Sequence, residues 1–471
     1  MITVKTRTET DSLGSLEVPV DAYWGVHTAR ALENFPISLR PISVYKDLVV
    51  AFAQIKMAAA RANRAIGVLD GHKADLIEAA CQEIIDGKLH DQFIVGIIQG
   101  GAGTSTNMNF NEVIANRALE LGGWEKGDYS HLHPLDDINR SQSTNDTYPT
   151  AIKLALIYGL QRCLDEHELL RKAFARKGAE FVNVLKIGRT QMQDAVPMTL
   201  GQEFTGFATT LGEDSDRLKA VIPLMLEMNM GGTAIGTGIT ANREYRPRVI
   251  EELVEITGLP VTSAFDLVEA TSDTGVFMTY SGVLKRAATK LSKICNDLRL
   301  LSSGPQAGFG EINLPPKQAG SSIMPGKVNP VIPEVVNQVA FSIIGSDAVV
   351  TAASEAGQLQ LNAFEPVIAH SLLQSVTWFT NACFTLRVNC IDGITANEER
   401  LAAMVSTSVS VVTALTPYIG YVHSAALAKK ALHGTSSIAD LVVEEGLMTR
   451  EQVEDVLQPA KLSGAVDPEE R

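Results

Sequence analysis

The chain has 471 residues, 45% of them hydrophobic, and its 40 basic and 54 acidic side chains give a formal net charge of −14. This length is enough for two or three domains around a substantial core. The acidic balance argues against a nucleic-acid-binding protein, and any site for an anionic substrate must be built locally.

The first 13 residues are polar and charged, so we expect no signal peptide. No run of about 18 apolar residues predicts a membrane span. The five cysteines are scattered without a CxxC pair, which is typical of buried thiols in a reducing cytosol. We therefore expect a cytoplasmic protein that binds neither membranes nor nucleic acids.

Apolar residues recur at helical spacing through most of the chain. After an irregular arm over residues 1–40, the pattern predicts helices over residues 44–66, 76–85, 111–121, 149–182, 200–227, 247–257, 272–302, 330–353 and 364–390. Shorter helices follow to about residue 457. Strand alternation is nearly absent, so we predict an all-α fold with three domains. These are residues 1–142, a central domain of long helices over 143–396, and a small C-terminal domain over 397–471.

The helices predicted over residues 330–353 and 364–390 are apolar on nearly every side. A bundle of five helices in one chain cannot cover apolar surface of that extent. We therefore predict that other subunits cover the remainder and that the protein is an oligomer.

Four polar segments interrupt the helical pattern, and they are defined here as the first (residues 99–109), second (141–146), third (186–197) and fourth (320–330) polar segments. Their glycine turns expose backbone N–H groups, and their hydroxyls, amides and lysine are suited to binding a small carboxylate. Taken singly, each is also compatible with ordinary helix capping or a connecting loop. His131 and His133 alternate in a further loop, but no third ligand lies near them in the sequence, so we predict no metal site there.

The fourth segment reads GSSIMPGKVNP and resembles the signature of the fumarase/aspartase superfamily. The other segments contain GGAGTSTNMN, QSTND and GRTQMQDAVPMTLGQEF, in the order that this superfamily uses. The resemblance covers nearly the whole chain and is greatest to the aspartase branch. It implies a three-domain fold whose central helices form one bundle shared in a homotetramer, with each active site assembled from three subunits.

The resemblance also implies reversible deamination of L-aspartate to fumarate and ammonia, through an aci-carboxylate intermediate and without a cofactor or metal. Ser321 would be the base that removes the proton beside the β-carboxylate. Lys327, Asn329 and Thr190 would bind the α-carboxylate, and Asn145 and Gln191 the amino group. The β-carboxylate would be bound by Thr104, Ser143, Thr144 and Ser322. Ser105 and Met324 complete the predicted substrate-binding set.

Three alternatives remain open from the sequence. The first is a class II fumarate hydratase, although fumarases carry histidine at the position of Gln191. The second is a lyase for a larger fumarate adduct, and the third is a helical scaffold without activity. Two departures from the family pattern are Trp24, which is more fumarase-like, and Gln306, where relatives usually carry arginine. Gln306 lies in residues 304–320, a loop that we predict closes over the substrate.

Overall fold

The computed structural model describes residues 5–434 and 436–462, and within these ranges helices dominate. The α-helices are α1 (Val26–Asn34), α2 (Lys46–Ala65), α3 (Gly71–Ile85), α4 (Thr104–Leu121), α5 (Thr144–Glu180), α6 (Leu200–Met225), α7 (Tyr245–Thr257), α8 (Leu267–Ser272), α9 (Gly275–Leu301), α10 (Val331–Glu355), α11 (Glu365–Asn389), α12 (Glu398–Thr407), α13 (Val412–Ile419), α14 (Tyr421–His433), α15 (Ile438–Glu444), α16 (Arg450–Val456) and α17 (Pro459–Leu462). The all-α prediction is confirmed.

The strands form small two-stranded sheets. The pairs are β1 (Thr6–Asp11) with β2 (Gly14–Pro19), β3 (Leu185–Thr190) with β4 (Gln193–Thr199), β5 (Glu227–Met228) with β6 (Thr262–Ser263), and β7 (Ile312–Asn313) with β8 (Thr395–Ala396).

Two of these hairpins, β1–β2 and β3–β4, correct the sequence analysis. Residues 6–19 are not irregular, and the third polar segment is a β-hairpin rather than a loop. Both hairpins escape the period-2 test because their short strands show no regular alternation of apolar and polar residues, and β1 (TRTETD) contains no apolar residue at all.

Two helix starts also differ from the prediction. Helix α4 begins at Thr104, seven residues earlier than predicted, because Gly103 adopts φ 89° as its N-cap and the helix starts directly after the glycines. Helix α5 begins at Thr144 and continues through Pro149. Proline has no N–H to donate, so the carbonyl of Asn145 loses its helical partner, and the side chain of Asn229 donates to that oxygen instead, at 2.9 Å.

The described chain divides into two compact units, each built from separate stretches of sequence. The first unit comprises Met1–Leu164, Asp216–Arg286 and Phe341–Phe379, and the second comprises Asp165–Ser215, Ala287–Ala340 and Thr380–Arg471. Five long helices, α5, α6, α9, α10 and α11, contribute residues to both units. The three consecutive domains inferred from the sequence stay a prediction.

Each unit has its own hydrophobic core. In the first, the ring of Phe110 stacks between Phe52 and Phe93, with ring centroids 4.4 and 4.1 Å away. In the second, helices α13 to α16 pack around fully buried side chains that include Leu415, Leu427 and Val442. Burying large apolar side chains in this way is the main source of stability for such small helical groups.

Helix α10 is unusual because its apolar surface is largely uncovered. Only 28% of its most apolar 18-residue window is buried. Val335, Phe341 and Ile344 are 42%, 62% and 40% exposed. By length and composition alone this helix could cross a membrane, but one such helix is weak evidence, because core helices of soluble proteins satisfy the same test.

Candidate active site

The fourth polar segment forms a closed loop. The N–H of Gly320 donates to the carbonyl of Lys327 at 2.7 Å, and the side-chain amide of Asn329 donates to the carbonyl of Gly320 at 2.8 Å. A Cβ atom at residue 320 would lie 2.7 Å from the Lys327 oxygen, so this closure requires glycine. One donor hydrogen of Asn329 therefore holds the loop, and the other is left for a ligand.

The hydroxyl of Ser321 lies inside this loop and accepts two backbone hydrogen bonds. The N–H groups of Ile323 and Met324 donate to its Oγ at 3.2 and 3.1 Å. Two fixed N–H dipoles aimed at one oxygen stabilise negative charge on it, as they do in anion-binding turns. Ser322, Met324 and Lys327 lie exposed around the same turn.

The third polar segment presents its predicted site residues at the tip of the β3–β4 hairpin. Thr190 pairs with Gln193, and the two residues of the turn are Gln191 and Met192. Both turn residues have positive φ, 53° and 66°, a conformation that glycine and asparagine usually occupy. Strain of this kind costs on the order of 1 kcal/mol per residue and tends to be kept at functional sites. Thr190, Gln191 and Met192 are all exposed.

Buried ion pairs support the base of that hairpin. The ammonium of Lys186 lies 2.6 Å from Glu203 and 2.8 Å from Glu311, and the guanidinium of Arg189 pairs with the other oxygen of Glu311. Glu311 is 1% exposed at its side chain and Lys186 is 2% exposed. The ring of Phe309 lies 4.2 Å from the Arg189 guanidinium. The hairpin is thus fixed to the segment that leads into Ser321.

The first half of the loop predicted to close over substrate is firmly held. Arg400 donates to the carbonyls of Gly308 and Phe309, and the side chain of Asn397 donates to the carbonyl of Gly310 at 2.7 Å. Gly310 also donates to the carbonyl of Ser303. Arg400 therefore anchors this stretch without an arginine at residue 306. Within the predicted closing loop of residues 304–320, closure stays a prediction for residues 314–320.

In the first polar segment, the glycines place Thr104 at the start of α4. Gly101 and Gly103 have φ of 83° and 89°, and the Thr104 hydroxyl donates to the carbonyl of Gly101 at 2.8 Å. A Cβ atom on Gly103 would lie 2.6 Å from the ring of Tyr148, so α5 packs directly against this turn. At the start of α4 the N–H groups of Thr104 and Thr106 already donate to Gly101 and Gln99, so the positive end of the helix dipole, with Ser105 among its first residues, is what favours an anion here.

The second polar segment caps α5. Ser143 donates its N–H to Asp146 at 3.0 Å, and its hydroxyl accepts from the N–H of Asn145 at 3.2 Å. Thr144 is the first residue of the helix and is mostly buried. The side-chain nitrogen of Asn145 donates to the carbonyl of Ala234 at 2.6 Å.

Two buried charges behind these segments were not identified from the sequence. Lys56 donates to Asn107 at 2.8 Å and to Gln142 at 2.9 Å, so it joins the first segment to the residues around the second. Burial raises the pKa of Asp146 to about 7, and burial lowers the pKa of Lys56 to about 7. The signal was present, because Lys56 interrupts an apolar helix in which a charge is unusual.

The predicted site residues thus fall into two groups. Thr104, Ser105, Ser143, Thr144 and Asn145 lie in the first unit. Thr190, Gln191, Ser321, Ser322, Met324, Lys327 and Asn329 lie in the second. Lys56 brings the first two segments together. Glu311 connects the hairpin to the approach of the fourth segment.

Other parts of the described chain do not suit a small dicarboxylate. A cavity of about 620 Å³ in the second unit has a mostly apolar lining and carries the carboxylates of Glu398 and Glu399, which would repel one. His133 caps a helical turn through its ring nitrogen, and His131 stacks on Trp124. Within residues 5–434 and 436–462, no three histidine, cysteine, aspartate or glutamate side chains are grouped as metal ligands.

Comparison with family models gives two matches. Residues 14–345 match the model described as Lyase, and residues 411–464 match the model described as Fumarase C C-terminus. Among curated proteins, the chain is 57% identical over 457 residues to the aspartate ammonia-lyase of Pseudomonas aeruginosa, covering 97% of this chain and 96% of that one. It is 51% identical over 457 residues to the aspartate ammonia-lyase of Escherichia coli, with the same coverage.

Solved structures agree with these matches. A structure titled fumarate lyase:delta crystallin from Brucella melitensis, bound to cobalt, has a TM-score of 0.95 and 52% identity, and the match covers 98% of this chain and all of that one. The class II fumarase of Schistosoma mansoni has a TM-score of 0.92 at 34% identity, with the same coverage. These neighbours share the fold from end to end.

Proposed function

Because the chain belongs to the fumarase/aspartase family of lyases, we propose that it acts as an aspartate ammonia-lyase, deaminating L-aspartate reversibly to fumarate and ammonia. The observation that carries the mechanism is the pair of N–H donors aimed at the Ser321 hydroxyl. An ordinary serine is a poor base. An alkoxide held by two backbone dipoles, with Lys327 on the same loop, is a competent one.

In this mechanism Ser321 removes a proton from the carbon beside the β-carboxylate. The released electron pair moves onto that carboxylate and forms an aci-carboxylate with an additional negative charge. Ser143, Thr144 and Ser322 would donate hydrogen bonds to that charge, and Thr104 would join them when its hydroxyl turns from the carbonyl of Gly101 to the substrate. A preorganised donor of this type contributes about 10²–10³ in rate. The electron pair then forms the double bond of fumarate as the carbon–nitrogen bond breaks and ammonia leaves.

The substrate's other groups meet chemically suitable partners. Lys327, Asn329 and Thr190 supply a cation and neutral donors for the α-carboxylate. Asn145 and Gln191 supply amide oxygens for the amino group, which leaves already protonated and needs little acid assistance. The scheme balances without a cofactor. A hydratase, in contrast, benefits from a histidine that can protonate the departing hydroxide, and Gln191 cannot do this.

We also propose that the protein is a cytoplasmic homotetramer whose active sites each combine loops from three subunits. Support comes from α10, whose Phe341 is 62% exposed within an apolar surface that water does not favour. The five buried cysteines suit a reducing compartment. The net charge of −14 favours a small-molecule substrate over nucleic acid as the partner.

Fumarate absorbance tests the activity. Purified protein mixed with L-aspartate should produce fumarate, while L-malate in a parallel cuvette should produce little. Production from malate alone would identify a hydratase. If neither substrate yields fumarate, the protein is better explained as a lyase for a larger fumarate adduct or as an inactive scaffold.

Light scattering tests the assembly. The wild type should have four times the mass of one chain, and Phe341→Asp should lower that mass because it places a charge in the proposed interface. Leu13→Asp, at a residue that is 78% exposed in the turn between β1 and β2, is the control and should leave the mass unchanged. A monomeric wild type would contradict the proposal.

A further inference from the structure

The loop over residues 229–238 is rich in glycine, and the proposed chemistry has given it no role. It is compact and self-bonded, since Gly236 and Gly238 both donate to the carbonyl of Gly232 at 3.0 Å. A Cβ atom on Gly236 would lie 2.3 Å from the backbone of Leu267, so the path of this loop depends on glycine. Thr233 has φ 54° although it is not glycine, a strained conformation that must be held by its surroundings.

Asp146 holds the loop in place. Its Oδ1 accepts from Ser143 at the start of α5, and its Oδ2 accepts from the N–H groups of Gly231 and Thr233 at 3.2 and 3.0 Å. The carboxyl is fully buried. One side chain therefore fastens the glycine loop to the second polar segment.

The loop in turn fixes Asn145 at two points. Asn229 donates to the Asn145 main-chain carbonyl, which Pro149 leaves without a helical partner. The side-chain nitrogen of Asn145 donates to the carbonyl of Ala234 at 2.6 Å. A carbonyl oxygen can only accept, so the nitrogen of this amide must face Ala234 and the oxygen must face away.

We propose that Asp146 and the glycine loop are positioning elements for recognition of the amino group. They hold the Asn145 amide so that its Oδ1 is presented to the substrate as a hydrogen-bond acceptor. That oxygen accepts no hydrogen bond within the described part of the chain, and the Asn145 side chain is partly exposed. An acceptor fits an ammonium, which only donates, and does not fit a carboxylate, which only accepts.

The proposal rests on the proposed function and predicts a selective effect in the amination direction, where fumarate and ammonium are separate substrates. Asp146→Asn replaces one acceptor oxygen by a donor that faces N–H groups, so the loop and Ala234 shift. The KM for ammonium should rise at least about tenfold, the effect of losing a hydrogen bond to a charged group. The KM for fumarate should change by less than about threefold, because fumarate has no amino group and the oxygen that this variant retains can still accept from the N–H of Ser143, a proposed β-carboxylate donor.

Thr233→Gly provides a second variant that should fold, because glycine adopts φ 54° without strain. It removes the hydroxyl that donates to the carbonyl of Ile239 at 2.8 Å and loosens the loop, so it should raise the KM for ammonium in the same selective way. Asn242→Ala is the matched control, since Asn242 lies beyond the loop, where its side chain accepts from the N–H of Glu244 just before α7. It should leave both KM values within about twofold of wild type.

The two proposals fail in different ways. If the wild type forms no aspartate from fumarate and ammonium, the proposed function is wrong, and this inference with it. If the wild type is active but both KM values rise together in Asp146→Asn and Thr233→Gly, or neither rises, the function stands and the positioning role is overturned.

Discussion

Ser321 and Ser322 are adjacent and chemically identical, and they differ in what surrounds the oxygen. The Ser321 hydroxyl accepts hydrogen bonds from two backbone N–H groups, whereas Ser322 is exposed. The sequence could place a serine pair in a polar loop. The sequence gives no physical reason to choose Ser321 rather than Ser322 as the base, because that choice depends on the backbone path between Gly320 and Gly326.

Gly320→Ala tests that backbone path. The added methyl group would lie 2.7 Å from the backbone oxygen of Lys327 and 3.0 Å from the backbone nitrogen of Asn329. These backbone atoms must move away from residue 320 to make room for it. Because the loop is exposed, we expect little loss of stability but a fall in kcat of at least about tenfold, as the donors to Ser321 shift. Steady-state kinetics with thermal denaturation provide the measurement. Gly206→Ala, whose Cβ meets nothing within 4 Å, is the control, and equal kcat values for the two variants would contradict the prediction.

Glu365 gives a prediction about pH and stability. Its side chain is buried, and one carboxyl oxygen has no hydrogen-bond partner within the described residues. Burial raises the pKa of Glu365 from 4.5 to about 8, and the charge of Lys153 opposes this only in part. Between those two pH values the unfolded chain has lost a proton that the folded protein keeps. This group therefore makes the protein less stable as the pH rises through the window.

Glu365→Gln stays neutral and should remove that loss. Between pH 5 and pH 8.5 the Tm of the wild type should fall more than that of the variant, by a few degrees. Differential scanning calorimetry at the two pH values measures this. Glu33→Gln, at an exposed glutamate, should behave like wild type. Parallel Tm losses in wild type and Glu365→Gln would show that this carboxyl does not control the pH dependence.

At the scale of elements, the long helices could be predicted because their apolar spacing persists over many turns. The β3–β4 hairpin could not, since its turn is Gln191-Met192 rather than a glycine-containing pair and its strands carry buried ions. In the sequence, Lys186 and Arg189 lie in a polar segment that gives no sign of their partners. In the structure Lys186 is buried against Glu203 and Glu311, and Arg189 pairs with Glu311, a partner more than 100 residues away.

Those ion pairs predict unequal effects for two matched substitutions. Glu311→Gln leaves two cations without their shared buried carboxylate and should cost about 3–5 kcal/mol of unfolding free energy. Glu203→Gln removes a 22% exposed carboxylate from Lys186 alone and should cost about 1 kcal/mol or less. Urea denaturation measures both. Equal costs would mean that Glu311 does not hold the hairpin.

At the scale of the whole molecule, the apolar character of α10 indicated an oligomer from the sequence, and the exposed Phe341 and Val335 agree with that reading. The order of the four polar segments indicated the family, which the comparisons confirm. How the segments combine into one site follows from neither periodicity nor composition, because in the proposed homotetramer it depends on which surfaces meet between chains.

Mixing two inactive variants tests whether sites are shared. In the proposed homotetramer, Asn145→Ala and Ser321→Ala should each disable every site when refolded alone. If the second and fourth segments of one site come from different chains, co-refolding should restore about a quarter of the activity by random assortment. Fumarate absorbance measures the recovery, with each variant refolded alone as the control. No recovery from correctly assembled mixed tetramers would mean that each site draws both segments from one chain.

The central claim is that Ser321 is the base, and the most direct test is the kcat of Ser321→Ala for fumarate formation from L-aspartate. We expect kcat to fall by at least about 10³-fold, because the proton acceptor is gone. The inhibition constant for succinate, an unreactive dicarboxylate, should change by less than about threefold, because the binding groups remain. A variant that keeps more than about a tenth of wild-type kcat, or one that loses activity only in proportion to weaker succinate binding, would contradict the assignment.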